Sequence, residues 1–388
     1  MNRWLSDRVA QGLEHKRTEA GIRSLKCSQD YTLNLATNDY LDLAHHPKVI
    51  EAATGALARY GSSTSGSPVV NGYLPIHQQL EESFKAWLEY PSCLVWNSGY
   101  SANHNLLSLL PRKGDLVLAD RHMHVSALAG VLQSGARLLR YHHNDTGHLE
   151  KLLSDNADRN IFVLTESLFS MDGDWPDLRA IAALKNKHDF FWIVDEAHAI
   201  GWYGKGLCAQ AGVAEAVDAL VTTLGKAFVS QGAISLFRDP NIREYLLNFS
   251  KEFMYTTYPA PAGIAASIQA VELVRAELLQ QQAEWLSLAT EIRRLLGLDH
   301  PYDSPIIPFI VGDNASVVEL GKRFNQAGIR VGVIRPPSVA EGTARLRISI
   351  NRNLSMEAFE SKVLPIIHQF KAENSLVDGF KESQAPHV

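Results

Sequence analysis

Two apolar runs in the middle of the chain lead into residues that can do covalent chemistry. Phe190-Phe191-Trp192-Ile193-Val194 runs into Asp195, with His198 three residues on. Val221-Thr222-Thr223-Leu224 runs into Gly225-Lys226-Ala227. A carboxylate at a strand end is by itself an ordinary solvated group, and a lone lysine is ordinarily a surface one. A lysine bracketed by small and apolar residues is poorly solvated, which favours the neutral, nucleophilic amine. Taken together, the two runs supply an amine for a Schiff base and an acid to pair with a pyridinium nitrogen. Those are the two requirements of pyridoxal 5'-phosphate. His198 would then reach the ring's phenolic oxygen or its surroundings.

A phosphate needs backbone N–H groups and hydroxyls, best presented at a helix N-terminus. The run Cys93–Trp96 leads into Asn97-Ser98-Gly99-Tyr100-Ser101-Ala102-Asn103 and then into residues with helical spacing. Gly99 lets backbone approach closely, and the helix dipole favours an anion. A plain capped turn would show the same three residues, Ser98-Gly99-Tyr100. No G-x-x-x-x-G-K-[ST] is present, and Gly201–Gly206 does not spell a dinucleotide fingerprint after a strand, which disfavours nucleotide hydrolysis and nicotinamide chemistry. Asp120-Arg121-His122-Met123-His124 follows another apolar run, and an imidazole there suits stacking on a cofactor ring. His122 and His124 could begin a metal site, but no third ligand stands at a convincing spacing, so no metal is expected. His45, His46, His142 and His143 are expected to be structural or exposed.

These residues sit at the ends of runs that must be strands. Seven recur: Cys93–Trp96, Leu116–Asp120, Leu138–His142, Ile161–Glu166, Phe190–Glu196, Leu220–Leu224 and Ala233–Phe237, with helical spacing between most of them. That alternation predicts an α/β domain with a mostly parallel seven-stranded sheet covered on both faces, whose ligands bind beyond the carboxyl ends of strands. The last third reads as a smaller α+β domain: a long helical stretch over about Ala260–Leu296, strands Ile306–Val311, Arg330–Ile334 and Arg345–Ile350, and helices Ser316–Gln326 and Met356–Lys371. The expected organisation is an N-terminal segment 1–45, a large cofactor-binding domain 46–285 and a small C-terminal domain 286–388.

The set resembles the α-oxoamine synthases, pyridoxal-phosphate enzymes of aminotransferase fold type I. The likeness runs through nearly the whole chain, in the family's order: Asn38-Asp39-Tyr40-Leu41, Gly72-Tyr73 with His77 and Leu80-Glu81, Ser98-Gly99-Tyr100, Asp120 with His124, Thr165-Glu166, Ser170-Met171-Asp172-Gly173-Asp174, Asp195-Glu196-Ala197-His198, Thr223-Leu224-Gly225-Lys226 and Arg345-Leu346-Arg347. Ile334-Arg335-Pro336-Pro337-Ser338-Val339 with Gly342–Arg347 is similar to the biotin-pathway branch in particular. The resemblance implies that Lys226 holds the cofactor and, once displaced by the amino acid, removes its α-proton. It implies that Asp195 keeps the ring nitrogen protonated, that His124 stacks on the ring, and that His198 and Ser170 lie near its phenolic oxygen. Ser98, Gly99, Tyr100 and Thr223 would surround the phosphate, with Thr256 or Thr257 coming from a neighbouring subunit. Arg347 would bind the amino-acid carboxylate, Asn38 would lie near the substrate, and Arg23 would meet the far carboxylate of a dicarboxylic acyl chain. The implied reaction joins an amino acid, expected to be L-alanine, to an acyl-CoA, expected to be a pimeloyl thioester, with loss of carbon dioxide, in a homodimer. Acetyl transfer to glycine, palmitoyl transfer to serine and assembly of α-amino ketone signals stay open. The family's pattern is departed from at Asp42 and Ala199 (both usually Gly), Ser167, Tyr258-Pro259-Ala260-Pro261 and Leu354.

Composition fits this reading and excludes others. Of 388 residues, 46% are apolar and 20% charged, and 37 Lys and Arg against 42 Asp and Glu leave a net charge of −5. Disorder is excluded, and no global field favours nucleic acid or an anionic membrane. Cys27, Cys93 and Cys208 are too few and too scattered for a disulfide framework, which favours a reducing, cytoplasmic setting. Met1–Ala20 has no signal-peptide core, and no apolar run suffices to span a bilayer.

Overall fold

The computed structural model describes residues 2–18, 22, 25, 31–298 and 302–375. Eleven strands form among them: β1 (Leu33–Leu35), β2 (Ser92–Trp96), β3 (Leu116–Asp120), β4 (Arg137–Tyr141), β5 (Ile161–Glu166), β6 (Phe191–Asp195), β7 (Ala219–Thr223), β8 (Ala233–Phe237), β9 (Ile306–Gly312), β10 (Ile329–Ile334) and β11 (Ala344–Ser349). The chain divides into two compact units, one of Asn38–Ser170 and Asp174–Trp285, the other of Met1–Thr37, Met171–Gly173 and Leu286–Val388.

The first unit holds a seven-stranded sheet in the order β2-β8-β7-β6-β5-β3-β4. All neighbours are parallel except those of β8, which is antiparallel to both β2 and β7. Each of the seven predicted runs is a strand here, with ends within one residue of expectation. Every residue of β2, β3 and β8 is buried, as strands covered on both faces require, and this includes β2 at one edge of the sheet. At the edge, β4 exposes Arg137 and Arg140, charges that discourage pairing with another chain.

Register sets the site. Trp96 at the end of β2 and Thr223 at the end of β7 both pair with Ala233 of β8. Asp195 pairs with Glu166 on one side and Val221 on the other. The carboxyl ends of β2, β5, β6 and β7 therefore lie along one edge of the sheet, where ligands of such sheets bind. The predicted long helix after residue 260 is interrupted. The chain leaves helical geometry at Glu277, giving Pro261–Ala276, a 3₁₀ turn at Leu278–Gln281, and Gln282–Leu296. Apolar spacing marks buried faces but does not register such a change of hydrogen-bond step.

The second unit holds a four-stranded sheet, β1-β10-β11-β9, in which only β1 and β10 are parallel. Strand β1 was not anticipated, because three residues are too few to display a period of two. The short piece Met171–Gly173 is clasped by Arg345, which is buried and donates from Nη1 to the Met171 carbonyl (3.1 Å) and to Asp172 Oδ1 (2.5 Å). Gly173 has φ 67°, and a Cβ there would lie 2.1 Å from the Ile306 carbonyl oxygen, so only glycine fits. Among the described residues, no helix is long and apolar enough to cross a membrane.

Candidate active site

Strand ends in the first unit present the chemistry-bearing groups. Asp195 closes β6 and is buried. Its Oδ1 accepts the Ala197 N–H (2.9 Å) and its Oδ2 accepts Asn103 Nδ2 (2.7 Å), which fixes the carboxylate in plane and direction. Asn103 also donates to Ser126 Oγ (3.2 Å), and Ser126 Oγ lies 2.7 Å from His124 Nδ1. The Ser126 N–H approaches the same nitrogen at 3.4 Å, which makes Nδ1 the acceptor and leaves the proton of the neutral ring on Nε2. Burial lowers the pKa of His124; Asp195 opposes that shift and Lys226 adds to it. His124 is thus a neutral imidazole in the field of both.

Lys226 follows β7 in a tight turn. Its Nζ lies 2.8 Å from His198 Nε2, and His198 Nδ1 lies 2.6 Å from the Tyr40 hydroxyl. Tyr40 in turn donates to Asn38 Oδ1 (3.1 Å). With Lys226 donating, one direction of hydrogen bonding runs from amine to imidazole to phenol to amide. The turn bearing Tyr40 is held by Asp39, whose two carboxylate oxygens accept the Leu43 and Ala44 N–H groups. The lysine turn is tightly constrained. Gly201 has φ 98°, and a Cβ there would lie 2.6 Å from that of Ala227. Val229, a β-branched residue, is held at φ 47°, a strained conformation of the kind that gathers at functional sites.

Glu166 ends β5 beside Asp195 and is buried. Burial first, and then the charge of Asp195, push its pKa well above the usual carboxylate value, with Lys226 opposing. Ser170 lies four residues beyond it, half-buried.

Ser98 is the N-cap of the helix Gly99–Leu109, and its Oγ accepts the Ser101 N–H at 3.0 Å. A Cβ on Gly99 would touch the Thr223 side chain at 3.7 Å, so the helix start and the end of β7 lie against each other. Thr223 Oγ1 donates to the Gly232 carbonyl and accepts the Gly225 N–H, both at 3.1 Å. Tyr100 is half exposed, and Thr256 and Thr257 are exposed. The Thr257 carbonyl accepts Asn97 Nδ2 (3.0 Å) and Thr256 lines a small cavity with Asn97 and Ser101.

The fold therefore gathers Asp195, His124, His198, Lys226, Asn38, Ser98, Gly99 and Thr223 on one sheet edge. Arg347 lies on β11 in the other unit, buried, with Nη1 2.6 Å from Ser349 Oγ. Arg23 lies outside the described residues. His122 stacks on His143 (centroids 3.9 Å apart), away from the bonding of His124 to Ser126. Three members were missed: Asn103, Ser126 and Tyr40. Asn103 stands four residues after Gly99, one helical turn along the same face, which is the signal that could have found it.

A buried carboxylate aligned by two donors, an amine, a flanking neutral imidazole and a capped helix N-terminus suit a flat phosphorylated pyridine aldehyde. The comparisons agree. Residues 31–361 match the family described as aminotransferase class I and II. The chain is 36% identical over 377 residues to 8-amino-7-oxononanoate synthase of Trichlorobacter lovleyi, covering 92% of this chain and 96% of that protein. Among solved structures it is similar to serine palmitoyltransferase of Sphingomonas wittichii, with TM-score 0.86, 26% identity, and 95% and 98% of the two chains covered. It is also similar to 8-amino-7-oxononanoate synthase of Francisella tularensis, with TM-score 0.77, 26% identity, and 89% and 100% covered. The chain belongs to the aminotransferase class I and II family, as a pyridoxal-phosphate-dependent enzyme of the α-oxoamine synthase kind.

Proposed function

We propose that this enzyme condenses L-alanine with a pimeloyl thioester, releasing CoA and carbon dioxide and giving 8-amino-7-oxononanoate, as a cytoplasmic homodimer. The observation that carries the reading is the Lys226–His198–Tyr40 chain beside the aligned Asp195. The 36% identity with a protein of that name over nearly its whole length supports it. Pyridoxal phosphate, when bound, supplies an electron sink for negative charge developing on the amino acid's α-carbon.

The chain's residues do the rest. Asp195 holds a proton at the ring nitrogen, and Asn103 and the Ala197 N–H keep its carboxylate aimed. His124 would cover a face of the ring. His198 orients Lys226 Nζ, which would hold the cofactor and, as a free amine, would take the α-proton of the amino acid. Ser98, the backbone around Gly99 and Tyr100, and Thr223 bind the phosphate at the helix N-terminus. Arg347 binds the amino-acid carboxylate as a fork, and Arg23 the distal carboxylate of the acyl chain. Thr256 or Thr257 reaches the phosphate of the neighbouring subunit. The exposed Val69, Val70, Tyr245, Phe249 and Tyr255 give a second copy an apolar surface to cover.

A second reading, a sister enzyme with another amino acid or acyl chain, is favoured by the higher TM-score with serine palmitoyltransferase at equal identity. Glycine C-acetyltransferase and α-amino ketone signal synthases belong to the same reading. Product mass after incubation with alanine, serine or glycine and thioesters of graded length separates them. Turnover of alanine with pimeloyl-CoA well above all other pairs is expected. Preference for serine with a long-chain thioester would overturn the first reading.

A further inference from the structure

Outside the groups just assigned, His143 is held between two carboxylates. Its Nδ1 lies 2.8 Å from Asp120 Oδ1, and its Nε2 lies 2.9 Å from Asp174 Oδ2. Both ring nitrogens thus face acceptors, which only the doubly protonated ring can satisfy. Burial alone would lower its pKa, but the two carboxylates outweigh burial and push it up to about 10. His122 stacks on one face of the ring, and Phe169 meets it edge-on at 4.5 Å.

Each of the two aspartates closes a turn, Asp120 through its carboxylate and Asp174 through its backbone carbonyl. Asp120, fully buried at the end of β3, also accepts the His122 N–H (2.7 Å) and the Asn144 N–H (2.9 Å). This shapes the three residues that lead to His124. The Asp174 carbonyl accepts the Phe169 N–H (2.9 Å), closing the loop on which Ser170 sits. One cation therefore ties together the bases of two loops that carry cofactor-facing residues. We propose that His143 is a positioning residue, which holds the His124 and Ser170 loops in register through its paired hydrogen bonds to Asp120 and Asp174. The inference rests on the reading that His124 covers the cofactor ring.

The test compares His143→Gln, which can satisfy only one carboxylate at a time, with His124→Ala and the double variant. In cofactor-free protein, amide hydrogen exchange is expected to rise in residues 121–126 and 169–170 of His143→Gln, with 99–105 unchanged. In the loaded enzyme, kcat is expected to fall about ten- to a hundredfold, as displacement of a contacting group by a distant change does. Cofactor affinity should move much less. In the His124→Ala background the same substitution should cost several-fold less than in the parent, because one of its two routes is already cut. Unchanged exchange at 121–126, or losses that multiply in the double variant, would overturn the proposal. Should His143→Gln fail to fold, Asp174→Asn removes half the clamp and is expected to give the same pattern more weakly; its absence there would overturn the proposal equally. Unchanged visible circular dichroism of the bound cofactor in His124→Ala would overturn the reading of His124, and the proposal with it. Changed dichroism there with unchanged exchange in His143→Gln would overturn the proposal alone.

Discussion

The two ends of the proposed site, one for the cofactor's ring and one for its phosphate, are built differently. At the ring end, Asp195 and His198 are buried, and each is hydrogen-bonded by groups of the same unit. At the phosphate end, Ser98 and Gly99 are half-buried, while Tyr100, Thr256 and Thr257 face outward. The ring end is rigid and self-contained, suited to proton handling. The phosphate end is an open rim suited to capture. Variants at one end should therefore change turnover, and variants at the other should change cofactor affinity.

The largest effect is expected at Asp195. Asp195→Asn keeps the shape but loses the charge facing the ring nitrogen, and kcat should fall by about 10²-fold or more. Steady-state kinetics at saturating cofactor measures this; a loss confined to cofactor affinity would break the distinction between the ends.

Next is Glu196, the neighbour of Asp195, which is fully buried and accepts the Cys208 N–H at 2.9 Å. Burial pushes its pKa from 4.5 up to about 7. The folded protein therefore holds a proton that the unfolded chain releases. Stability from this group is complete below about pH 4.5, is lost as pH rises to about 7, and is flat above. Replacing it, Glu196→Gln should gain on the parent between pH 5 and pH 8 by up to about 3 kcal/mol at 1.36 kcal/mol per pKa unit. Urea unfolding at the two pH values measures it.

Ser98→Ala comes third. Losing a hydroxyl from a phosphate should raise the cofactor's Kd about tenfold, with kcat at saturation nearly unchanged. Equilibrium titration with the cofactor checks the first, and a drop in saturated kcat would contradict the second.

The smallest effect concerns the turn that carries Tyr40. Asp42 has φ 52°, where side chains are disfavoured, and its charge acts with burial to raise the pKa of Asp39. Asp42→Gly should stabilise the protein by about 0.5 kcal/mol without altering kinetics. Thermal unfolding resolves the sign.

The ring end was the more legible in sequence, because an apolar strand closing on Asp195 or Thr223 advertises both position and exposure. The family's glycines were half legible. Gly201 persists where φ is positive and a Cβ would strike Ala227, whereas Ala199 is buried outside the left-handed region. Asp42, in the left-handed region, shows what the usual glycine there is for. The supports were not legible. Asn103, Ser126 and Tyr40 are common polar residues, and each has a partner 23 to 158 positions away that spacing cannot reveal. His143 looked structural or exposed, since nothing near it in sequence reveals that Asp174 will return to meet it.

The reversed direction of β8 has a consequence for how the molecule comes into being. Trp96 and Thr223 meet only through Ala233, so the phosphate rim cannot exist until the chain through Phe237 has taken its place in the sheet. Closing so distant a pairing is slow and entropically costly. A ligand that binds only the finished rim then acts as a latch on β8, drawing the folding equilibrium toward the completed sheet.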